Sequence, residues 1–241
     1  MFRHTGGKRT FKHNLKLASL LSFVAGVVNV TGFFSIHILT TNVTGHFANF
    51  ADELVRSDYL ISLSYLLYIL AFFAGAFCSG LIVEATIRKT GRNIYMIPLS
   101  IEILLLIVVS ALTIDMAVAH SVLVACTLLF AMGLQNALVT TVSNSVVRTT
   151  HLTGLFTDLG IELSQLFFYK EPEQQQKLKK SVGLRGAIIG FFFAGCVIGG
   201  IGYFIMDMRV LLIAAALLLG GMFWDNLKYR YLSIKRKYIE Q

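Results

Sequence analysis

Hydroxyls and amides recur in the same order at two places along this chain. Residues 40–54 read TTNVTGHFANFADEL and residues 149–163 read TTHLTGLFTDLGIEL. In register, Thr40, Thr41, Thr44, Gly45, Phe47, Glu53 and Leu54 meet Thr149, Thr150, Thr153, Gly154, Phe156, Glu162 and Leu163, each at an offset of 109. Such groups bind solutes or ions through hydroxyl, amide and freed backbone dipoles, without a covalent step. Thr44-Gly45 and Thr153-Gly154 read as a break followed by a new helix, with Thr44 and Thr153 as N-caps. A helix start with free N–H groups favours an anionic group. The competing reading is an ordinary turn into an interfacial helix whose acidic stripe faces water.

The titratable groups nearby follow helical spacing. Asn49, Glu53 and Arg56 lie at i, i+4 and i+7 of the first new helix, and Asp158, Glu162 and Gln165 fill the matching places of the second. Phe47, Phe50 and Leu54, like Phe156, Leu159 and Leu163, line the other side. Glu102 falls in the middle of the apolar segment PLSIEILLLIV. A carboxylate at mid-bilayer costs about 2.5–3.5 kcal/mol and is a functional candidate by default. Glu84 and Arg88 are spaced for an i, i+4 pair, which structure alone explains. Arg148 stands where the first segment has Leu39, so it either charges one half-site or snorkels to the interface. Enzyme signatures such as G-x-S-x-G, a P-loop or H-E-x-x-H are missing, and His37, His46 and His151 lack ligand spacing. His46 and Asp52 do not make a nucleophilic site without an activated Ser or Cys. We expect no enzyme, no cofactor and no metal site.

These groups need elements to position them, and composition says which. The chain is 56% hydrophobic and only 14% charged, with 19 Phe and two prolines, and its mean hydropathy is +0.71. That leaves too little polar surface for a soluble domain. Six apolar runs qualify as spanning helices: 15–37, 59–87, 93–113, 119–140, 183–206 and 209–225. No cleavable signal is expected, because the run after the basic N-terminus is too long and lacks a small-residue cleavage site. Cys78, Cys126 and Cys196 lie far apart inside apolar runs and read as small buried hydrophobes. The net charge of +8 sits in short segments between the runs, which argues for membrane orientation rather than nucleic acid. Lys and Arg crowd the N-terminus, 88–92, 170–185 and the C-terminus. The positive-inside rule therefore places both termini in the cytoplasm.

The duplication extends beyond the opening motif. AGVVN (25–29) faces MGLQN (132–136), so that Gly26 meets Gly133 and Asn29 meets Asn136 at an offset of 107. FFAGAFCSGL (72–81) faces FFAGCVIGGI (192–201) at an offset of 120, so that Gly75 meets Gly195 and Gly80 meets Gly200. Close helix packing explains these glycines. Two copies of a unit with an odd number of crossings enter the membrane from opposite sides, which is the plan of many secondary transporters. Asn29, Gln135 and Asn136 lie within spans, where they either hold helices together or line a path.

At G-V-V-N, TTNVTGHFANF, AMGLQNALVTT and RTTHLTGLFTDLGIEL, the sequence resembles the bacterial YoaK family of small multi-span membrane proteins, from about residue 15 to residue 225. It departs from the family pattern at Thr44-Gly45-His46, where Thr-Gly-Asn is expected. The resemblance implies a polytopic bacterial inner-membrane protein and brings no substrate with it.

The expectation is thus an all-α polytopic membrane helix bundle with six transmembrane helices and two short motif helices, arranged as an inverted 3+3 repeat. Residues 1–14 form a basic cytoplasmic segment, 15–113 the first three-span unit, 119–225 the second, and 226–241 a basic cytoplasmic tail. Its work would be alternating-access transport of a small solute or ion at the interface of the two units. The substrate-binding candidates are Asn29, Thr40, Thr41, Asn42, Thr44, Gly45, His46, Gln135, Asn136, Thr149, Thr150, His151, Thr153 and Gly154. Glu53, Glu102, Asp158 and Glu162 are candidate ion-coupling groups. The expected partners are the lipid bilayer and the small-molecule or ion substrate, with a homo-oligomer compatible and nucleic acid not expected. The alternative is a non-transporting membrane scaffold or accessory subunit.

Overall fold

A computed structural model describes residues 9–89 and 94–239, with side chains as far as residue 225. The basic N-terminal segment therefore lies partly outside the described residues, and the side chains of the basic tail lie wholly outside them. The described chain is helical: α1 (Phe11–Ile36), α2 (Val43–Val55), α3 (Tyr59–Lys89), α4 (Met96–Ser110), α5 (Ile114–Ala119), α6 (Ser121–Ser143), α7 (Leu152–Phe168), α8 (Pro172–Met206) and α9 (Leu211–Ile239). A short 3-10 turn, Asp207–Val210, separates α8 from α9.

Four stretches among the described residues are long and apolar enough to cross a membrane: α1, α3, α6 and Pro172–Asp225, the last interrupted by that turn. The third apolar run forms α4, whose 15 residues rise only about 22 Å, against roughly 30 Å of hydrocarbon. The basic segment before the fifth apolar run is helical from Pro172 onward. Pro172 opens α8 at a position where its missing N–H costs nothing, and the helix continues through the basic stretch into the apolar run. Large apolar side chains such as Phe73, Phe77, Phe193 and Phe204 are more than half exposed, a surface suited to lipid rather than water.

The two long apolar helices α1 and α6 end in the same way. Both stop at a non-glycine residue in the left-handed region, His37 at φ 57° and Asn144 at φ 55°. The N–H of each turns back onto carbonyls of the last turn, Gly32 and Phe33 for His37, Thr140 and Thr141 for Asn144. The breaks thus lie at 37–42 and 144–151, several residues before the Thr-Gly pairs. The N-caps are Asn42 and His151 rather than Thr44 and Thr153. Asn42 prevails over Thr44 because its side chain reaches the Gly45 N–H at 3.0 Å. The two extra residues of the second motif are absorbed in its loop. There the Ser143 hydroxyl accepts from the Val147 N–H at 2.9 Å, and Ser145 adds a second positive φ.

Packing follows a cross-over pattern. α1 lies chiefly against α8, and α3 against α6; α2 rests on α3 and α7 on α8; α4 packs on α6 and α9, and α9 on α1. Four glycines fix the two main crossings. A methyl group at Gly26 of α1 would overlap the Phe192 carbonyl of α8, and one at Gly195 would overlap the Phe23 carbonyl of α1. A methyl group at Gly75 of α3 would strike the Phe130 carbonyl of α6, and one at Gly133 the Phe72 carbonyl of α3. Each obstacle is backbone, so it cannot move aside, and the helices meet main chain to main chain. The Cys196 thiol donates to the Gly26 carbonyl at 3.4 Å within the first crossing. Between these pairs the core is filled by Leu17, Leu21, Val24 and Val28 of α1, Leu128, Leu129 and Met132 of α6, and Leu99 and Leu106 of α4, all fully buried.

Candidate substrate-binding cavity

The loop after α1 does not continue outward; it folds back along the helix it has just left. The Thr41 N–H and hydroxyl both donate to the Asn29 side-chain oxygen, at 3.2 and 2.9 Å. Twelve residues separate these partners in sequence, so the start of α2 is drawn back to the level of Asn29, about two turns below the end of α1. Asn42 caps α2 there. Among the described residues the loop after α6 makes no such bond. The Asn136 side-chain oxygen is buried without a partner, and His151, at the N-cap of α7, makes no capping bond. Its ring instead lies over Gly154, where an added Cβ would come within 2.5 Å of the imidazole.

The two corners open into one cavity of about 880 Å³. Its walls come in matched pairs: Asn29 with Asn136, Thr41 with Thr150, Asn42 with His151, Thr44 with Thr153, Gly45 with Gly154, and Phe72 with Phe192. Leu39, Val43, Ala48, Leu152 and Thr157 complete the lining. Among the described residues no carboxylate, lysine or arginine lines it.

Ten of the fourteen binding candidates therefore line one hollow. The other four are turned into the packing. Thr40 and Thr149 are fully buried, and neither hydroxyl has a partner. Gln135 donates to the Leu21 carbonyl at 3.1 Å, which ties α6 to α1. His46 is 4% exposed; its Nε2 faces the Leu39 carbonyl at 2.9 Å, and its ring packs against Tyr65 and Tyr68. Asp52 pairs with Arg56 on the exposed face of α2, apart from the His46 packing.

The coupling candidates also separate. Glu102 is fully buried in α4, and neither carboxylate oxygen has a hydrogen-bond partner. Glu53 sits half-buried on α2. Asp158 and Glu162 both face Arg185 of α8, at 3.1 and 2.5 Å, and Ser181 accepts a further bond from the same guanidinium. Asp158 and Arg185, with Arg148, Ser145, His151 and Gly154, line a small pocket of about 220 Å³. His151 and Gly154 belong to both pockets, so the two adjoin. Glu84 and Arg88 pair at 3.9 Å on the surface, as their spacing requires.

Sequence reasoning missed Phe72, Phe192 and Arg185. The two phenylalanines were legible: each stands three residues before a crossing glycine in the repeated Phe-Phe-Ala-Gly. Arg185 was not, because its partners lie 23 and 27 residues away on another helix.

Comparison with known proteins places the chain in a family. A family model described as "Protein of unknown function (DUF1275)" matches residues 17–224. The chain is 24% identical over 183 residues to the UPF0700 transmembrane protein YoaK of Bacillus subtilis (strain 168), covering 76% of this chain and 80% of that protein. No solved structure matches. The matched region runs from the first turns of α1 into α9 and takes in both motifs and all four crossing glycines; the chain belongs to the DUF1275 family of transmembrane proteins.

Proposed function

We propose that this chain is a membrane transporter that moves a small solute by alternating access, with its site at the interface of two inverted three-span units. In this reading the membrane is the bacterial inner membrane, both termini are cytoplasmic, and α4 and α9 complete six crossings. One observation supports the reading above all: two motifs 109 residues apart bring equivalent groups to the lining of one hollow. The helix pairings support it too. Exchanging the first four helices for α6–α9 turns α1–α8 into α6–α3, α2–α3 into α7–α8, and α4–α6 into α9–α1, and every one of these pairs is in contact. An internal two-fold relation of this kind allows one arrangement to be open on one side and its mirror role to be open on the other. Irregular backbone at depth is tolerated where it lines such a cavity. The lining offers hydroxyls, amides and apolar rings but no nucleophile with an activating base, so binding rather than catalysis is its work. Glu102 and the Asp158–Glu162–Arg185 cluster are the proposed coupling groups, one in the bundle core and the other beside the second motif.

Thiol labelling tests the reading. With Cys78, Cys126 and Cys196 replaced, cysteines introduced by Thr44→Cys and Thr153→Cys should react with small membrane-impermeant reagents, each from one side or from both in turn. A saturating solute should protect both positions. Complete protection of both from either side, with no solute present, would support the scaffold instead.

A further inference from the structure

The hydrogen bonds already made around the cavity dictate what its free groups can offer. A backbone N–H only donates, so the amide that meets the Thr41 N–H must present its oxygen, and Asn29 therefore turns its NH2 away from that bond. The Gly45 N–H fixes Asn42 in the same way. Both amides thus turn their oxygens inward, Asn29 accepting two bonds and Asn42 one, and keep their NH2 donors. The start of α7 adds main-chain N–H groups that no side chain caps. Among the described residues no carboxylate lines the cavity, while Arg148 lines the adjoining pocket. Phe72 and Phe192 supply apolar wall. The unpartnered Asn136 oxygen is buried and the threonine hydroxyls donate as well as accept, so the free Asn29 and Asn42 NH2 groups and the uncapped N–H groups give a hollow with spare donors and aromatic sides, which suits a ligand that is acceptor-only at one end and apolar at the other.

We propose that the cavity takes a small organic carboxylate, its acid group held by the Asn29 and Asn42 amides and the start of α7, and its carbon skeleton against Phe72 and Phe192. This rests on the reading of the cavity as the substrate site and names the substrate class for it. The charge is met by oriented dipoles rather than by a buried cation, so the site binds without the desolvation cost of an ion pair.

The test is thermal stability of the purified full chain in detergent, titrated with sodium butyrate and sodium benzoate. Butyramide and benzamide serve as uncharged counterparts, and sodium sulfate at equal ionic strength as an inorganic anion. A ligand that binds only the folded protein raises the unfolding midpoint saturably. The carboxylates should do so, and the amides and sulfate should not. Asn29→Asp keeps both bonds from Thr41 but replaces the free NH2 by oxygen, and should weaken carboxylate binding by about tenfold or more. Asn42→Asp, an equally good N-cap, should do the same and serves if the first variant does not fold. The proposal is overturned if the amides stabilise as well as the acids, if sulfate alone does, if no probe saturates, or if both Asp variants bind carboxylate unchanged. Stabilisation by a neutral amide that disappears in Thr153→Val would remove the carboxylate and leave the transporter standing. Silence from every probe, together with unreactive Thr44→Cys and Thr153→Cys, would remove both.

Discussion

The corner at 37–48 and the corner at 144–157 share a backbone plan and differ in what guards them. Both follow a left-handed helix stop, both start a new helix, and both face the same cavity. The first is tied down by its own contacts: Thr41 donates to Asn29, the Gly45 N–H donates to Asn42, and His46 packs against Tyr65 and Tyr68. The second lacks the cap and the Thr–Asn bond, and an ion-pair cluster on Arg185 stands beside it. At the offset of 120 that relates α8 to α3, Arg185 corresponds to Tyr65, so a cation and an aromatic ring occupy matched places. The main-chain contacts at the glycine crossings are alike in both halves, while side chains away from those contacts differ. Under the proposed transport function, matched lining groups with unlike neighbours would give the cavity two unequal faces.

The largest expected effect tests the shared scaffold. Gly26→Val and Gly133→Val should each prevent recovery of folded protein. The alanine variants should cost about 1–3 kcal/mol each by overpacking, read as a lowered unfolding midpoint in detergent. The two crossings should respond alike, and a tolerant Gly133 beside an intolerant Gly26 would break the equivalence. Next is the ionic guard. Arg185→Gln strands Glu162, which is only 15% exposed, beside Asp158. It should lower stability by about 1–2 kcal/mol, less than a fully buried pair because Asp158 remains half in solvent. Tyr65→Phe, its counterpart, should change stability by much less. The caps come third. Asn42→Ala should destabilise by about 1 kcal/mol, His151→Ala should have little effect, and His151→Asn should stabilise by a few tenths of a kcal/mol or more. Equal losses from both alanine variants would contradict the cap asymmetry. The smallest effect is Thr41→Val, which removes one hydroxyl bond to Asn29 and keeps the backbone one. It should cost about 0.5–1 kcal/mol, against little for Thr150→Val.

Much of this was legible in the sequence because membranes make it so. Apolar runs marked α1, α3 and α6 directly, and Asn29, Thr44, Asn136 and Thr153 stood out as polar residues repeated in order. The cap positions were misplaced because Thr44 and Thr153 satisfy the same local preference as Asn42. Only the reach of the Asn42 side chain to the Gly45 N–H decides between them. His46 lies in the motif yet leaves the cavity, since its orientation depends on Tyr65 and Tyr68 of another helix. Arg185 was invisible for the same reason: an ion pair between helices leaves no spacing to read.

Cross-linking shows whether both corners border one hollow. In a cysteine-free background, Thr44→Cys and Thr153→Cys together should be bridged within a single chain by a flexible bis-maleimide, giving a compact species on denaturing gels. Modification of both cysteines by monofunctional maleimide, with no intramolecular bridge at any spacer length, would place the corners apart and contradict the account.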